Sequence, residues 1–371
     1  MIETPSQATT RLDHIASNLA AIRAHVGDRL VLVAVKADAY GHGAVAVSRH
    51  LQQTGLADLL GVATVGEGVE LRQAGITLPI LKLSVARGPE VAVAVAHDLA
   101  LVVVDEASVR EAGEAARGAG RELELHLKVD TGMRRIGCEP ADAPRLAGLI
   151  RDTPGVRLVG VLSHLPISDA PEGDDFTAGQ IVRFREVAAA LEAEHGPLIK
   201  HLANSGGVLA HPDSWFDLVR PGVMVYGNYP DASTPRTVPL LPGLEWRSRV
   251  TFVKRVRAGE TVGYGRTWTA SADTWLATVA IGYGDGYSRA LSNRGRMLVN
   301  GRSCPIAGRV SMDQTMIDVG PEPVAVGDEA VLVGRSGDQE ITVAELADLQ
   351  GTISYEVTCA VGRRVAREYH R

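Results

Sequence analysis

Between residues 30 and 228, short apolar, β-branched runs alternate with alanine- and leucine-rich stretches, and this alternation constrains the fold more than any other feature. The runs are LVLVAVK, LLGVATV, LPILKLS, LALVVVD, LELHLKVD, VRLVGVLSH, LIKHLAN and FDLVRPGVMVYG. Each reads as a strand buried on both faces. Stretches such as GAVAVSRHLQQTG, EASVREAGEAARGAG and AGQIVRFREVAAALEAEHG fill the gaps with helical material. Strand–helix–strand succession implies right-handed parallel crossovers. Eight such units in about 200 residues have the stoichiometry of a (β/α)8 barrel, with a doubly wound open sheet as the alternative.

After residue 240 the texture changes. LEWRSRVTFVKRVRAGETVGYG, TWLATVAIGYGDGYSR, RMLVNGRSCPIAGRVSMDQTMIDV and DEAVLVGR are β-rich and broken by glycine, with little helical period before VAELADLQ. The expected fold class is therefore α/β: an N-terminal (β/α)8 TIM-like barrel followed by a mostly antiparallel β domain. The boundary is expected in NYPDASTPRTVPLLPG, giving a barrel over 1–238 and a β domain over 239–371. At the N-terminus, RLDHIASNLAAIR is helical in pattern, with no apolar strand before it.

Composition narrows the function. The net charge is −6, with acids and bases interspersed, so nucleic acid and anionic lipid are not expected partners. No apolar run is long enough to span a membrane, and no secretory signal is visible. Cys138, Cys304 and Cys359 lie far apart, which fits a reducing cytoplasm and argues against a metal site or a disulfide framework.

A barrel places its functional groups after the C-terminal ends of its strands. Read that way, Lys36, Asp38 and Tyr40 follow the first run; Lys128, Asp130 and Arg135 the fifth; His164 the sixth; His201, Asn204 and Ser205 the seventh; Arg220, Gly222 and Tyr226 lie along the eighth. Lys36 has two readings. It is either a surface lysine where a buried strand returns to water, or an amine made nucleophilic by desolvation. ANSGG (203–207) and RPGVMVYG (220–227) offer backbone donors for an anion, in the position where such barrels often hold phosphate.

AVKADAYGHG, HLKVDTGMRRIG, SHL, HLANSGG, VRPGVMVYG, VGYGRTW, IGYGDGY, SMDQTMIDV and ISYEV occur in order from about residue 12 to the end. Together they resemble the alanine racemase family of fold-type III pyridoxal phosphate (PLP) enzymes. The resemblance implies that Lys36 holds PLP as a Schiff base. Tyr40, Ser205, Gly222, Val223 and Tyr355 would bind its phosphate, with Asn204 beside them. His164 would lie near the ring, and Arg220 would face the pyridine nitrogen, supported by His201. L-alanine and D-alanine would interconvert by a two-base mechanism, with Lys36 serving one face of Cα and Tyr264 the other. Tyrosine normally titrates near pH 10, so this use requires cationic neighbours.

Further expectations follow from the same resemblance. Arg135 and the backbone at Met312 would hold the substrate carboxylate, with Tyr283 and Asp313 nearby. Lys128, carbamylated to an anion, would orient Arg135; an ordinary lysine–carboxylate pair is the alternative. Asp169, Arg289, Arg309 and Ile353 would line a narrow substrate corridor. The protein would be a cytoplasmic homodimer with shared active sites, in which Tyr264, Tyr283, Met312 and Asp313 come from the partner. Its product would supply D-alanine for peptidoglycan. A broader racemase acting on serine, or a fold-type III amino-acid decarboxylase, is the alternative. Two departures stand out: Ser311 occupies a position that is often cysteine, and Pro166 follows the site histidine, which loosens the Asp169 assignment.

Overall fold

The computed structural model describes residues 4–371. They form two compact units. One is His14–Leu241; the other is Pro242–Arg371 together with the described residues before His14.

A short strand, β1 (Gln7–Arg11), and a helix, α1 (Leu12–Val26), open the chain. The first unit then carries β2 (Leu30–Ala34), β3 (Leu59–Val62), β4 (Ile80–Val85), β5 (Leu99–Val103), β6 (Leu123–Lys128), β7 (Val156–Leu162), β8 (Ile199–His201) and β9 (Leu218–Val219). These are the eight apolar runs of the sequence. All pair in parallel in the order β8-β7-β6-β5-β4-β3-β2-β9. The seam between β8 and β9 is bridged by Asp217 N–H to the Lys200 carbonyl (3.1 Å) and Arg220 N–H to the Ala203 carbonyl (2.9 Å). The barrel is thus nearly closed, as expected, and the open-sheet alternative does not hold.

Leu32, Leu81, Val102, Leu162 and Leu218 pack into one buried cluster although they come from β2, β4, β5, β7 and β9. Only inward-facing side chains of a closing barrel can meet this way. Register then places other residues on the inner face. Lys128 pairs with Leu162, and Leu162 with His201.

The second unit is built on a nine-stranded sheet. Its spine is β10 (Leu244–Val256), followed in sequence by the two-stranded ribbon β11 (Thr261–Val262) and β12 (Trp268–Thr269), and by β13 (Thr274–Val279). Antiparallel pairs join β10 to β1 and β13. Trp246, Tyr287, Leu298 and Val331 lie in its apolar core. A strand does precede the first helix, although not an apolar one. β1 is the polar sequence QATTR, antiparallel to β10 and parallel to the C-terminal strand over Ala366–His370. Alternate residues, Ala8 and Thr10, are buried. The strand forms because two neighbours supply its hydrogen bonds, not because its side chains are apolar.

Candidate active site

Lys36 ends the β2 segment and begins α2 (Lys36–Gly41), a turn of unusual hand. Ala37, Asp38, Ala39 and Tyr40 have φ between 51° and 54°. Left-handed turns cost roughly 1–2 kcal/mol per non-glycine residue, so the surroundings must hold this one. Ala37 N–H donates to Glu67 Oε1 (2.7 Å), and Ala44 N–H to Asp38 Oδ1 (2.7 Å). His42 Nδ1 lies 3.0 Å and 2.9 Å from the carbonyls of Ala39 and Tyr40; because carbonyls only accept, this nitrogen carries a proton. The ring of His42 stacks on Tyr226, whose hydroxyl donates to the Ala34 carbonyl (2.8 Å). Lys36 Nζ comes to rest 6.0 Å from the Tyr40 ring centroid.

Arg220 is buried at the centre of the mouth. Its Nη2 donates to the Ser163 carbonyl (2.7 Å), the Leu202 carbonyl (3.0 Å) and His164 Nδ1 (3.3 Å), and its Nη1 donates to His201 Nδ1 (3.2 Å). A guanidinium has no lone pair to offer, so both histidine nitrogens accept and carry no proton. Both rings are neutral accordingly: burial, then the Arg220 charge, pushes His164 and His201 well below their ordinary values. Burial also lowers Arg220 to about 10, which leaves it cationic at neutral pH. Lys128 falls to about 7, first through burial and then through the charges of Arg220 and Arg135.

The anion signals of the sequence converge. Ser205 Oγ accepts from Gly222 N–H (2.9 Å). A Cβ on Gly222 would come within 2.5 Å of the Tyr40 hydroxyl, so glycine is required for that approach. Asn204 caps the short helix Ser205–Ala210 by accepting from Gly207 N–H (3.0 Å), and Val223 opens the turn after Gly222. Arg135 lies exposed in the loop after β6. Asp169 is half-buried, and its backbone carbonyl accepts from Thr234 Oγ1 (2.7 Å). The charges of Arg220, Arg135 and Lys36 all act on Lys128, and the Asp130 carboxylate partly offsets them. That surplus of cations, the Gly222 approach and the Lys36 amine at the end of β2 fit a phosphorylated aldehyde such as PLP.

In the β unit, Tyr264 sits in the turn joining β11 to β12 and is 72% exposed. It is flanked by Gly263 and Gly265, with φ of 70° and 73°, a conformation that glycine adopts freely. A cavity of about 330 Å³ is lined by Tyr264, Tyr283, Arg289, Arg309, Val310 and Ser311. The structure therefore brings together one candidate base and three candidate substrate or corridor residues. Tyr283 N–H donates to the Ser311 carbonyl (3.0 Å) and Gly284 N–H to the Met312 carbonyl (2.8 Å). Asp313 accepts from Arg364, which also donates to Asp285 (2.9 Å each). Tyr283, Met312 and Ile353 are exposed, and Tyr355 is half-buried.

Sequence reading missed Glu67, His42, Arg364 and His126. Glu67 was legible only as a helix start, and His42 and His126 only as members of quoted motifs.

Two family models cover nearly all of the chain. The alanine racemase N-terminal domain matches residues 10–230, and the alanine racemase C-terminal domain matches residues 243–369. A protein of Cutibacterium acnes named alanine racemase is 49% identical over 366 residues, 98% of this chain and 97% of that one. One from Chlorobaculum tepidum is 43% identical, over 98% of this chain and 94% of its own. The crystal structure of alanine racemase from D-cycloserine-producing Streptomyces lavendulae superposes with a TM-score of 0.93 at 37% identity, covering 100% of this chain and 98% of that one. With its strand order, cationic mouth and tyrosine-bearing β unit, the chain belongs to the alanine racemase family.

Proposed function

We propose that this protein is a PLP-dependent racemase that interconverts L-alanine and D-alanine and supplies D-alanine for peptidoglycan. The observation that carries the reading is the mouth of the barrel. There the Lys36 amine, the close approach of Gly222 to Tyr40 and Ser205, and a donor-only guanidinium follow the C-terminal ends of the barrel strands. Lys36 would hold the cofactor's carbonyl carbon. Tyr40, Ser205, Gly222, Val223 and Tyr355 would hold its phosphate, with Asn204 fixing the helix start beside them. PLP, when bound, delocalises the electron pair left at Cα after proton loss.

The chain's own residues do the rest. Arg220 would donate to the cofactor's ring nitrogen without giving up its proton, a role that would limit how far charge drains into the ring and so disfavour side reactions. His164 and His201 hold the guanidinium in that role. Lys36 and Tyr264 each exchange the Cα proton on one face, because a single base cannot readily serve both. Arg135 and the backbone of Met312 hold the carboxylate, with Tyr283 and Asp313 near it. Lys128, near neutrality the amine form in much of the population, is the group that would add carbon dioxide and orient Arg135. Asp169, Arg289, Arg309 and Ile353 line the route in.

The reading makes the protein a homodimer with shared sites. Tyr264, Tyr283, Met312 and Ile353 are among the exposed large apolar side chains of the β unit, which supports a partner there. A cytoplasmic setting agrees with Cys138, Cys304 and Cys359 forming no disulfide among the described residues. Among the described residues no helix is long and apolar enough to cross a membrane.

The test is direct. Purified protein given L-alanine, or D-alanine, should drive optical rotation to zero from either side. Lys36→Ala should abolish this. In heavy water, Tyr264→Phe should still exchange the Cα hydrogen of one enantiomer and lose exchange in the other. Release of carbon dioxide without racemisation would instead favour a decarboxylase. Serine is only one hydroxyl larger, and small differences of this kind discriminate by roughly 1–3 kcal/mol, so slow serine racemisation is expected.

A further inference from the structure

Beneath the cationic mouth lies a buried titratable side chain to which the mechanism gives no task. His126 stands on β6 in register with Val102, Gly160 and Ile199 of the neighbouring strands. Val102 belongs to the apolar cluster at the barrel centre and Ile199 packs against it, so His126 points inward too. It is 2% exposed. Its Nδ1 lies 2.9 Å from His201 Nε2, with the two rings 87° apart in plane. Gly160 makes the room: a Cβ there would come within 2.4 Å of His126 Nδ1 and 2.8 Å of the Ile199 carbonyl. The β6–β7 register also shifts at Leu125/His126, the kind of irregularity that re-aims a side chain.

We propose that His126 is a positioning residue that fixes the tautomer of His201 and thereby keeps Arg220 aimed, as a donor, at the cofactor's ring nitrogen. The proposal deepens the function given above and rests on it. The logic is a count of protons. Arg220 can only donate, so His201 Nδ1 must be bare. A neutral imidazole then carries its proton on Nε2. That N–H is buried and requires an acceptor, and His126 Nδ1 is placed to be one. Without it, the His201 proton either stays unpaired in the core or moves to Nδ1, where it would confront the Arg220 N–H. Burial, and then the Arg220 charge, hold His126 near 4, so it stays neutral and able to accept. A polar ring among leucine and valine is costly unless it is satisfied in this way.

The experiment is long-range proton–nitrogen correlation on full-length, cofactor-loaded enzyme carrying 15N-histidine, with His201 assigned by its absence from a His201→Asn sample. Wild-type His201 should be neutral and protonated on Nε2. In His126→Leu that single-tautomer signature should be lost, and kcat should fall about tenfold while KM changes little, the scale typical when a partner orienting a site histidine is removed. His126→Asn, whose Oδ1 can accept near the same point, should restore both. Wild-type His201 protonated on Nδ1 would overturn the proposal. So would a leucine variant with the wild-type signature, or an asparagine variant that fails to recover it. If the leucine variant does not fold, the wild-type and asparagine samples still decide. The expected tautomer in a protein that does not racemise alanine would overturn the functional reading and leave the His126–His201 assignment standing.

Discussion

A buried guanidinium that donates to two carbonyls and two ring nitrogens is held in one orientation. Arg220→Lys cannot reproduce that fork. It should leave at least one of the Ser163 and Leu202 carbonyls without its donor, costing about 1–3 kcal/mol in urea unfolding. Lys128 offers a prediction in pH. Its folded value, about 7, lies below the ordinary 10.5. Below pH 7 the unfolded chain binds this proton more tightly, so the group works against folding. As pH rises from 7 to 10.5 the handicap disappears. The advantage of Lys128→Met over wild type, measured by thermal melting in bicarbonate-free buffer, should be largest below pH 7 and shrink across that window. At this scale Lys36 and Arg220 were legible because each ends or interrupts an apolar strand. His126 and Gly160 were not. A histidine inside an apolar run reads as core, and the space left by Gly160 has meaning only against the ring that fills it.

Whole elements were legible to different degrees. The barrel strands announce themselves because a strand covered on both faces is written as an unbroken apolar run. β1 does not, since every residue but Ala8 is polar and its partners lie more than 200 positions away. The left-handed turn of α2 was also hidden, because Ala37, Asp38, Ala39 and Tyr40 carry no glycine signature. Its support is a neighbouring helix, α3 (Ala44–Thr54) aside: the start of α4 (Val65–Gln73). There Thr64 and Glu67 form a capping box, and Glu67 Oε1 additionally accepts from Ala37 N–H. The two roles can be separated. Thr64→Ala should cost only the cap, about 0.5–2 kcal/mol. Glu67→Ala should cost at least as much and also slow racemisation, because the turn carrying Lys36 and Tyr40 loses a tether. Equal activity in the two variants would show that the tether does not matter to the site.

On the scale of the whole molecule, the candidate groups are divided between two units with different textures. Lys36, Arg220 and the phosphate donors belong to the barrel. Tyr264, Tyr283 and Met312 belong to the β unit, where they are exposed. The sequence made both sets visible through separate motifs, yet no motif states which copy of the chain completes a site. In the proposed dimer the amine and the phenol serving one Cα come from two polypeptides. Subunit mixing tests it most directly. Lys36→Ala and Tyr264→Phe homodimers, each nearly inactive, are unfolded, mixed in equal amounts and refolded. Half of the resulting dimers are mixed, and each mixed dimer holds one intact site of two, so about a quarter of wild-type racemase activity should return. Activity no higher than that of the parent variants, with mixed dimers demonstrably present, would contradict the account.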